Sequence, residues 1–305
     1  MKRKLLYLIN PISGTKRKPL LKQIIQKRTS EEHLSFEIEE TRRDGNYSKL
    51  AQRIQEQNIT DVIICGGDGT VSTVTSFLLD THVNIGIVPT GSGNGLALAA
   101  GIPYSTQRAL QIIFQGYSSL IDGFLINNKF SCMMCGIGSD AQIAHDFSTR
   151  KIRGLKTYLK LSALQYFKAQ PFHFTVSTNG LSMQVEAFFI TISNSNQFGN
   201  NITIAPKASL NDGLLDIVIV KKMNKLMLPF ALLHQIAGIN ALEELKNYRN
   251  NKNIIYFQTR EATIINRSNA PLHIDGEPEP LTEKIQITIM PNAFRLLQPS
   301  LQHFA

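Results

Sequence analysis

The run Gly66-Gly67-Asp68-Gly69-Thr70 follows the apolar residues Val62 to Cys65 and leads directly into the apolar positions of a helical segment, 71–79. A strand, three glycines and a helix in that order leave few folds open. Glycine tolerates positive φ and lets a ligand approach the backbone with no Cβ in the way. The N–H groups at the start of a helix attract phosphate, and the helix dipole assists. Thr70 can cap the helix or bond a phosphate oxygen. Asp68 is out of place among phosphate-binding glycines unless a cation or a proton transfer involves it. The string lacks the Gly-Lys-Ser/Thr of a Walker A loop. The pattern then repeats: strand 85–88 is followed by Pro89-Thr90-Gly91-Ser92-Gly93-Asn94-Gly95-Leu96-Ala97, again a glycine-rich loop between strand and apolar helix. Two such loops at neighbouring strand ends can hold a nucleotide triphosphate.

The surrounding pattern agrees. Apolar runs at 5–9, 61–65 and 85–88 and an alternating run at 36–41 read as strands. Helical spacing separates them, in Leu20, Leu21, Ile24 and Ile25, and in Tyr47, Leu50, Ala51 and Ile54. The first ~125 residues therefore predict a doubly wound parallel sheet with helices on both faces, a fold whose ligands bind beyond the carboxyl ends of the strands. Asn10-Pro11-Ile12-Ser13-Gly14 closes the first strand, and as residues alone it is only a turn. From about residue 124 the rhythm changes. Strand patterns at 172–177, 185–193, 214–220, 254–258, 262–266 and 285–290, with helical stretches at 155–167 and 226–245, predict a mainly antiparallel β-sandwich. The expected division is residues 1–125 against 126–292.

Composition bounds the rest. Nine of the 32 Lys and Arg residues precede the first carboxylate, Glu31, so the remainder balance the 23 acidic ones and the net charge of +9 sits at the start. Such an end can attract nucleotide phosphates or anionic membrane, or can be a solvated face of the first helix. No helix-turn-helix, RNP or zinc-finger pattern supports a nucleic-acid partner. Three cysteines make no disulfide framework, and Cys132 and Cys135, in an apolar stretch, read as buried small residues. The most apolar window, 226–239, is short of the ~20 residues a spanning helix needs, and no signal peptide is legible at the start. The expected location is cytoplasmic, with peripheral contact at the inner face of the membrane. Arg150, Lys151, Arg153, Lys156 and Lys160 precede or join an apolar helical pattern with no acidic residue among them. A basic amphipathic helix of that kind can lie on anionic lipid, or pack on a core with its lysines in water. Oligomeric state stays open, a homodimer included.

N-P-x-S-G, then G-G-D-G-T, then P-x-G-[ST]-x-N-x-x-A, in this order, resembles the diacylglycerol kinase catalytic-domain family, which includes bacterial lipid kinases and the sphingosine or long-chain-base kinases. Gly136-Ile137-Gly138-Ser139-Asp140-Ala141, the long segment from Asn194 to Asp216 and Asp275-Gly276-Glu277 resemble the family's later signatures. The resemblance spans residue 5 to about 295. It implies two domains with ATP in the cleft between them and a return of residues 293–305 to the first. It implies nucleotide contacts from Asn10, Thr41, Gly66, Gly67, Asp68, Gly69, Thr70, Val71, Ser72, Ser92 and Asn94. It implies Glu277 as the base that takes the lipid hydroxyl proton, with Asp275 beside it and Asp68 holding a catalytic Mg²⁺ through water. A second, structural Mg²⁺ would sit on Asp212 and the carbonyls of Ser209 and Leu214. The implied reaction is ATP-dependent phosphorylation of a diacylglycerol-like or sphingoid-type lipid. An NAD or sugar-phosphate kinase sharing G-G-D-G-T, or a non-enzymatic nucleotide- or lipid-binding regulator, is the alternative. Gly95 stands where many diacylglycerol kinases have Asp, and a small residue there is more similar to the sphingosine-kinase branch. Asp275 and Glu277 would share a face in an extended strand but need not in a turn.

Overall fold

The computed structural model describes residues 2–13, 18–148, 169–197, 203–240, 242 and 252–300. The basic cluster Arg150, Lys151, Arg153, Lys156 and Lys160 and the helical pattern after it lie outside the described residues. The chain forms two compact units, Met1–Ile121 with Asn292–Ala305, and Asp122–Pro291.

The first unit alternates strand and helix: β1 (Lys4–Ile9), α1 (Lys18–Glu31), β2 (Ser35–Glu40), α2 (Leu50–Gln57), β3 (Asp61–Gly66), α3 (Asp68–Ser76), β4 (Asn84–Pro89), α4 (Gly95–Ala99) and α5 (Thr106–Gln115). Strands β2, β1, β3 and β4 lie side by side in that order, all parallel. Every residue of β3 is buried, as are all but the first of β1 and β4. Continuous burial is what a parallel sheet covered on both faces requires. Leu5 and Tyr7 pack with Ile25 of α1 and with Leu110 and Ile113 of α5, while the intervening Leu6 and Leu8 are buried on the other face. Part of the basic start is used internally. Arg3 pairs in bidentate fashion with the buried Asp61, at 3.0 and 2.9 Å, and donates to the carbonyls of Ile113 and Phe114 that end α5.

The second unit takes up β5 (Ser118–Ile126) near its start, followed by β6 (Lys129–Ser131), β7 (Met134–Gly138), α6 (Ser139–Ser148), β8 (Phe172–Thr178), β9 (Leu181–Ser193), β10 (Leu215–Lys221), α7 (Leu228–Ile236), β11 (Ile254–Thr259), β12 (Glu261–Asn266), β13 (Leu272–Ile274), β14 (Glu277–Glu279) and β15 (Lys284–Leu297). Its pairings are antiparallel. Strand β9 is the hub: residues 181–187 pair with β8, and the part beyond pairs with β7 on one edge and β10 on the other. Strand β12 and the start of β15 alternate buried and more exposed positions, as expected when one face of a sheet meets the core and the other water. Residues Arg295 and Leu296, at the end of β15, extend the parallel sheet beside β4.

Several boundaries differ from the sequence reading: β9 starts at Leu181 rather than 185, and β15 runs on to Leu297 rather than ending at 290. Helix α3 starts at Asp68 rather than 71, so half of the glycine run is its first turn. Helix α7 ends at Ile236, and Gly238 turns the chain at φ +69°; of the rest of the helical stretch read to 245, residues 241 and 243–245 lie outside the described residues.

Candidate active site

The two glycine loops meet back to back. A Cβ built on Gly91 would lie 2.5 Å from the Gly67 Cα, and one on Gly67 would lie 3.1 Å from the Gly91 Cα. Side chains at either position would force the loops after β3 and β4 apart. Gly66 has its own reason: a Cβ there would come within 2.8 Å of the Thr70 Cβ. Gly67 N-caps α3 without a side-chain hydrogen bond. Val71 makes the first turn-closing bond, to the Gly67 carbonyl at 3.1 Å. The N–H groups of residues 68–70 therefore precede the helix's own ladder, which is where an anion is bound.

Asn10 ends β1 and braces this loop. Its Nδ2 donates to the Thr70 Oγ1 at 2.7 Å, and its Oδ1 accepts the N–H of Ile12 at 2.8 Å and of Ser13 at 3.3 Å. Ser13 in turn shares a 2.8 Å hydrogen bond with Thr90 Oγ1 in the second loop. Thr41, just past β2, donates its N–H to the Ile9 carbonyl at 2.9 Å, which sets it beside Asn10. The structure thus brings Asn10, Thr41, Gly66, Gly67, Gly69, Thr70 and the second loop to one sheet end. Ser92 is exposed at the tip of that loop. Val71 and Ser72 have buried side chains, and the Val71 N–H is already bonded within the helix.

Asp68 spans the two loops. Its Oδ2 accepts the Gly95 N–H at 3.0 Å and its Oδ1 the Leu96 N–H at 3.3 Å, so a residue of α3 caps the start of α4. Asn94 is buried in the left-handed region, at φ +51°, with both amide atoms bonded to the backbone of Gly91 at 2.9 and 2.8 Å. It closes the loop on itself. Tyr104, half exposed, donates to the Gly93 carbonyl at 3.1 Å. Burial raises its phenol, and the nearby Asp68 charge adds to that against the lowering effect of Asn94. Ser13 and Thr90 belong to the quoted motifs but are not singled out there as contacts, and Tyr104 carries no signal in the sequence beyond its nearness to the second loop.

In the second unit Asp275 and Gly276 form the two-residue turn between β13 and β14, at φ +50° and +84°. An Asp-Gly pair with both φ positive is the favoured tight hairpin turn. The two carboxylates are thus related by a reversal of the chain, and the shared face of an extended strand does not apply. Asp275 faces inward, where its Oδ1 accepts Ser131 Oγ at 2.7 Å and the Met134 N–H at 3.0 Å. Glu277 opens β14 with an exposed side chain. Below the turn lies a buried pair that composition gave no reason to single out. His273 Nδ1 accepts the Gly276 N–H at 3.2 Å, so its Nε2 carries the proton and donates to the Asp140 Oδ2 at 3.1 Å. A Cβ on Gly136 would fall 2.2 Å from that oxygen, so this glycine makes room for the pair. Asp140 stands in the first turn of α6, where a carboxylate is favoured by the helix dipole. An ion pair of Lys129 and Glu279 fastens the outer end of the same hairpin.

The turn at Asp212 is built on a second buried carboxylate. Asp122 sits in the otherwise apolar β5, accepts the Gly213 N–H at 2.7 Å, and is 1 % exposed. Its place in an apolar run was the signal that could have marked it. Asp212 Oδ1 accepts the Leu214 N–H at 3.0 Å, and Ser209 Oγ donates to Asn211 Oδ1 at 3.2 Å. Nearby Asp216, buried under Tyr256, is pushed up to about 6 by burial, opposed by hydrogen bonds from Tyr256 and Gln258. Among the described residues no three His, Cys, Asp or Glu side chains converge as metal ligands. A cation here would draw on one or two carboxylates, carbonyls and water, a donor set suited to Mg²⁺. All three cysteines are free and buried, and burial pushes the thiols of Cys65 and Cys135 up, away from reactivity.

A parallel sheet with two touching glycine loops at its strand ends, followed by an antiparallel β-domain with a D-G-E hairpin, is the build of a phosphotransferase of the kinase class. Residues 4–126 match the diacylglycerol kinase catalytic domain, and residues 133–298 match the YegS C-terminal NAD kinase beta sandwich-like domain. The chain belongs to this family of diacylglycerol kinase-type lipid kinases, enzymes that take a nucleotide as phosphoryl donor. It is 27% identical over 283 residues to the diacylglycerol kinase of Bacillus subtilis, covering 88% of each chain. It is also 27% identical over 250 residues to a Shewanella frigidimarina protein named "Probable lipid kinase YegS-like", covering 79% of this chain and 77% of that one. The crystal structure of a diacylglycerol kinase from Bacillus anthracis superposes with a TM-score of 0.73 over 97% of both chains at 20% identity. At that identity the likeness speaks to the fold alone.

Proposed function

We propose that this chain transfers the γ-phosphoryl group of ATP to the hydroxyl of a diacylglycerol-like or sphingoid-type lipid. The observation that carries the reading is the contact of Gly67 with Gly91, which sets the start of α3, with the N–H groups of residues 68–70 ahead of its ladder, against the second glycine loop at one sheet end. That surface suits the phosphates of a nucleotide, with Asn10, Thr41, Thr70 and Ser92 at its rim and Asn94 holding the second loop in shape. Phosphoryl transfer is governed by positioning and by neutralising charge. Glu277, exposed at the start of β14, is the base for the lipid hydroxyl, and Asp275 fixes the turn that presents it. Bound Mg²⁺ would neutralise phosphate charge. Each Asp68 oxygen accepts one N–H and keeps capacity for water on such an ion. Asp212, with the Ser209 and Leu214 carbonyls, would hold a structural Mg²⁺.

Phosphate transfer from labelled ATP with Mg²⁺ tests this against a mixed-micelle panel of diacylglycerol, monoacylglycerol, phosphatidylglycerol, sphingosine and ceramide. NAD and sugar phosphates run alongside, and Glu277→Ala is the control. A labelled lipid that disappears in the variant is the expected result. Label on NAD instead, or ATP binding with no acceptor labelled, would refute the lipid-kinase reading.

A further inference from the structure

Helix α7 carries large apolar side chains on both its inner and its outer face. Leu228, Ala231, Leu232 and Gln235 recur at helical spacing on the inner face, the first three against Val218, Val220, Ile254 and Tyr256. Gln235 is fully buried, donating to the Ile204 carbonyl at 2.8 Å and accepting from Asn240 Nδ2 at 2.9 Å. The exposed apolar side chains are Phe230, Leu233 and Ile236 of the helix, at 63, 61 and 39% exposure, and Leu226, Met227 and Ile239 at its two ends, at 77, 51 and 64%. A helix on a globular surface ordinarily turns a polar face to the water.

The row is also concentrated. Six of the fourteen exposed large hydrophobic side chains among the described residues fall within it. Scattered apolar side chains need no explanation, whereas a contiguous patch marks an interaction surface. The charge around it has one sign. No Asp or Glu occurs from residue 217 to 242, while Lys221, Lys222 and Lys225 lead into the helix. Lys222 also bridges to Glu186 at 2.8 Å.

We propose that α7 is a shallow membrane anchor, its outer row lying in the interface of an anionic bilayer with the preceding lysines at the head groups. Nine residues are far too few to span, for which ~20 are needed, but a helix with a wide apolar face and a basic flank suits the boundary between head groups and acyl chains. A stable contact with a second copy of the chain would draw on ~20–30 residues a side, and this row supplies six. The choice of a bilayer rests on the lipid-kinase reading, since the acceptor of such an enzyme resides there.

Co-sedimentation with vesicles tests it independently of activity. The full chain and a Phe230→Glu/Leu233→Glu variant are mixed with phosphatidylglycerol–phosphatidylcholine vesicles and with pure phosphatidylcholine. Both positions are exposed, and an unchanged melting temperature verifies the fold. The expected result is stronger binding of the wild type to anionic vesicles and a loss of about tenfold or more in the variant. Transfer to vesicle-borne lipid should fall by the same factor, and transfer to a short-chain lipid dispersed as monomers should not. Wild type that ignores vesicles, or a variant that binds them equally well, overturns the anchor. So does a variant that turns a dimer into a monomer by light scattering with vesicle binding intact. Vesicle binding that behaves as expected while no lipid is phosphorylated would sink the kinase reading and leave the anchor standing.

Discussion

In the loops after β3 and β4, the geometry depends on where side chains are missing. Gly67 and Gly91 approach so closely that a methyl group on either meets the other's backbone. In the hairpin between β13 and β14, the geometry depends on side chains packed and bonded into place: Ser131 on Asp275, and Asp140 on His273, which accepts the Gly276 N–H. In the proposed function the first arrangement would present backbone donors to an anion, and the second would present one exposed carboxylate on a hydrogen-bonded turn. A site for phosphates needs many donors at short range, which backbone supplies when no Cβ intervenes. A site for a single proton needs one group held still, and buried hydrogen bonds can do that.

The sharpest break in this contrast is Glu277→Ala. Because that side chain is exposed, the melting temperature should hold while phosphate transfer falls ~10²–10⁴-fold, the usual contribution of a general base. Loss of stability in its place would mean that Glu277 is part of the scaffold. Next comes His273→Phe, which leaves the Asp140 carboxylate buried without its donor. We expect a stability loss of ~1.5–3 kcal/mol, measured by urea unfolding. The rate should drop with the ATP KM unmoved, since only the turn bearing Glu277 loosens. A change in the ATP KM alone would contradict this division of labour.

Gly91→Ala probes the other side of the comparison. Overpacking against the Gly67 Cα, at 2.5 Å, should cost ~1–3 kcal/mol and raise the ATP KM. Normal ATP binding in that variant would show the loop contact to be incidental. The smallest effect belongs to Asp68, where the two roles separate by substitution. Asp68→Ala should cost ~0.5–2 kcal/mol through loss of the cap on α4. Asp68→Asn, which keeps one acceptor oxygen for the Gly95 N–H but sets an NH₂ against the Leu96 N–H, should retain part of that stability yet lose activity and Mg²⁺ dependence. Full activity in the Asn variant would reduce Asp68 to a cap.

Much of this was legible in the sequence because it is local. Continuous short apolar runs such as Leu5 to Ile9, set between turn and helix signals, read as strands buried on both faces, and the alternation at 285–290 as a half-buried one. The glycine loops announced themselves by composition and by their position between strand and helix. The Asp-Gly pair at 275–276 marked a turn. By itself, then, the sequence determined the class of each domain, the loops and the turn, and through its ordered motifs the lipid-kinase family.

Tertiary structure alone decided which residues meet. Asp68 and Gly95 are 27 positions apart, His273 and Asp140 are 133 apart, and Asp122 and Gly213 are 91 apart. Nothing in periodicity or spacing encodes those pairings, because each depends on strand order and register. The same holds for α7. Its residues read as apolar in any direction, and only packing against β10 and β11 decides that Gln235 turns inward and Phe230 outward. Local pattern follows from the backbone's own geometry, while side-chain partnership across the chain follows from how the sheets assemble.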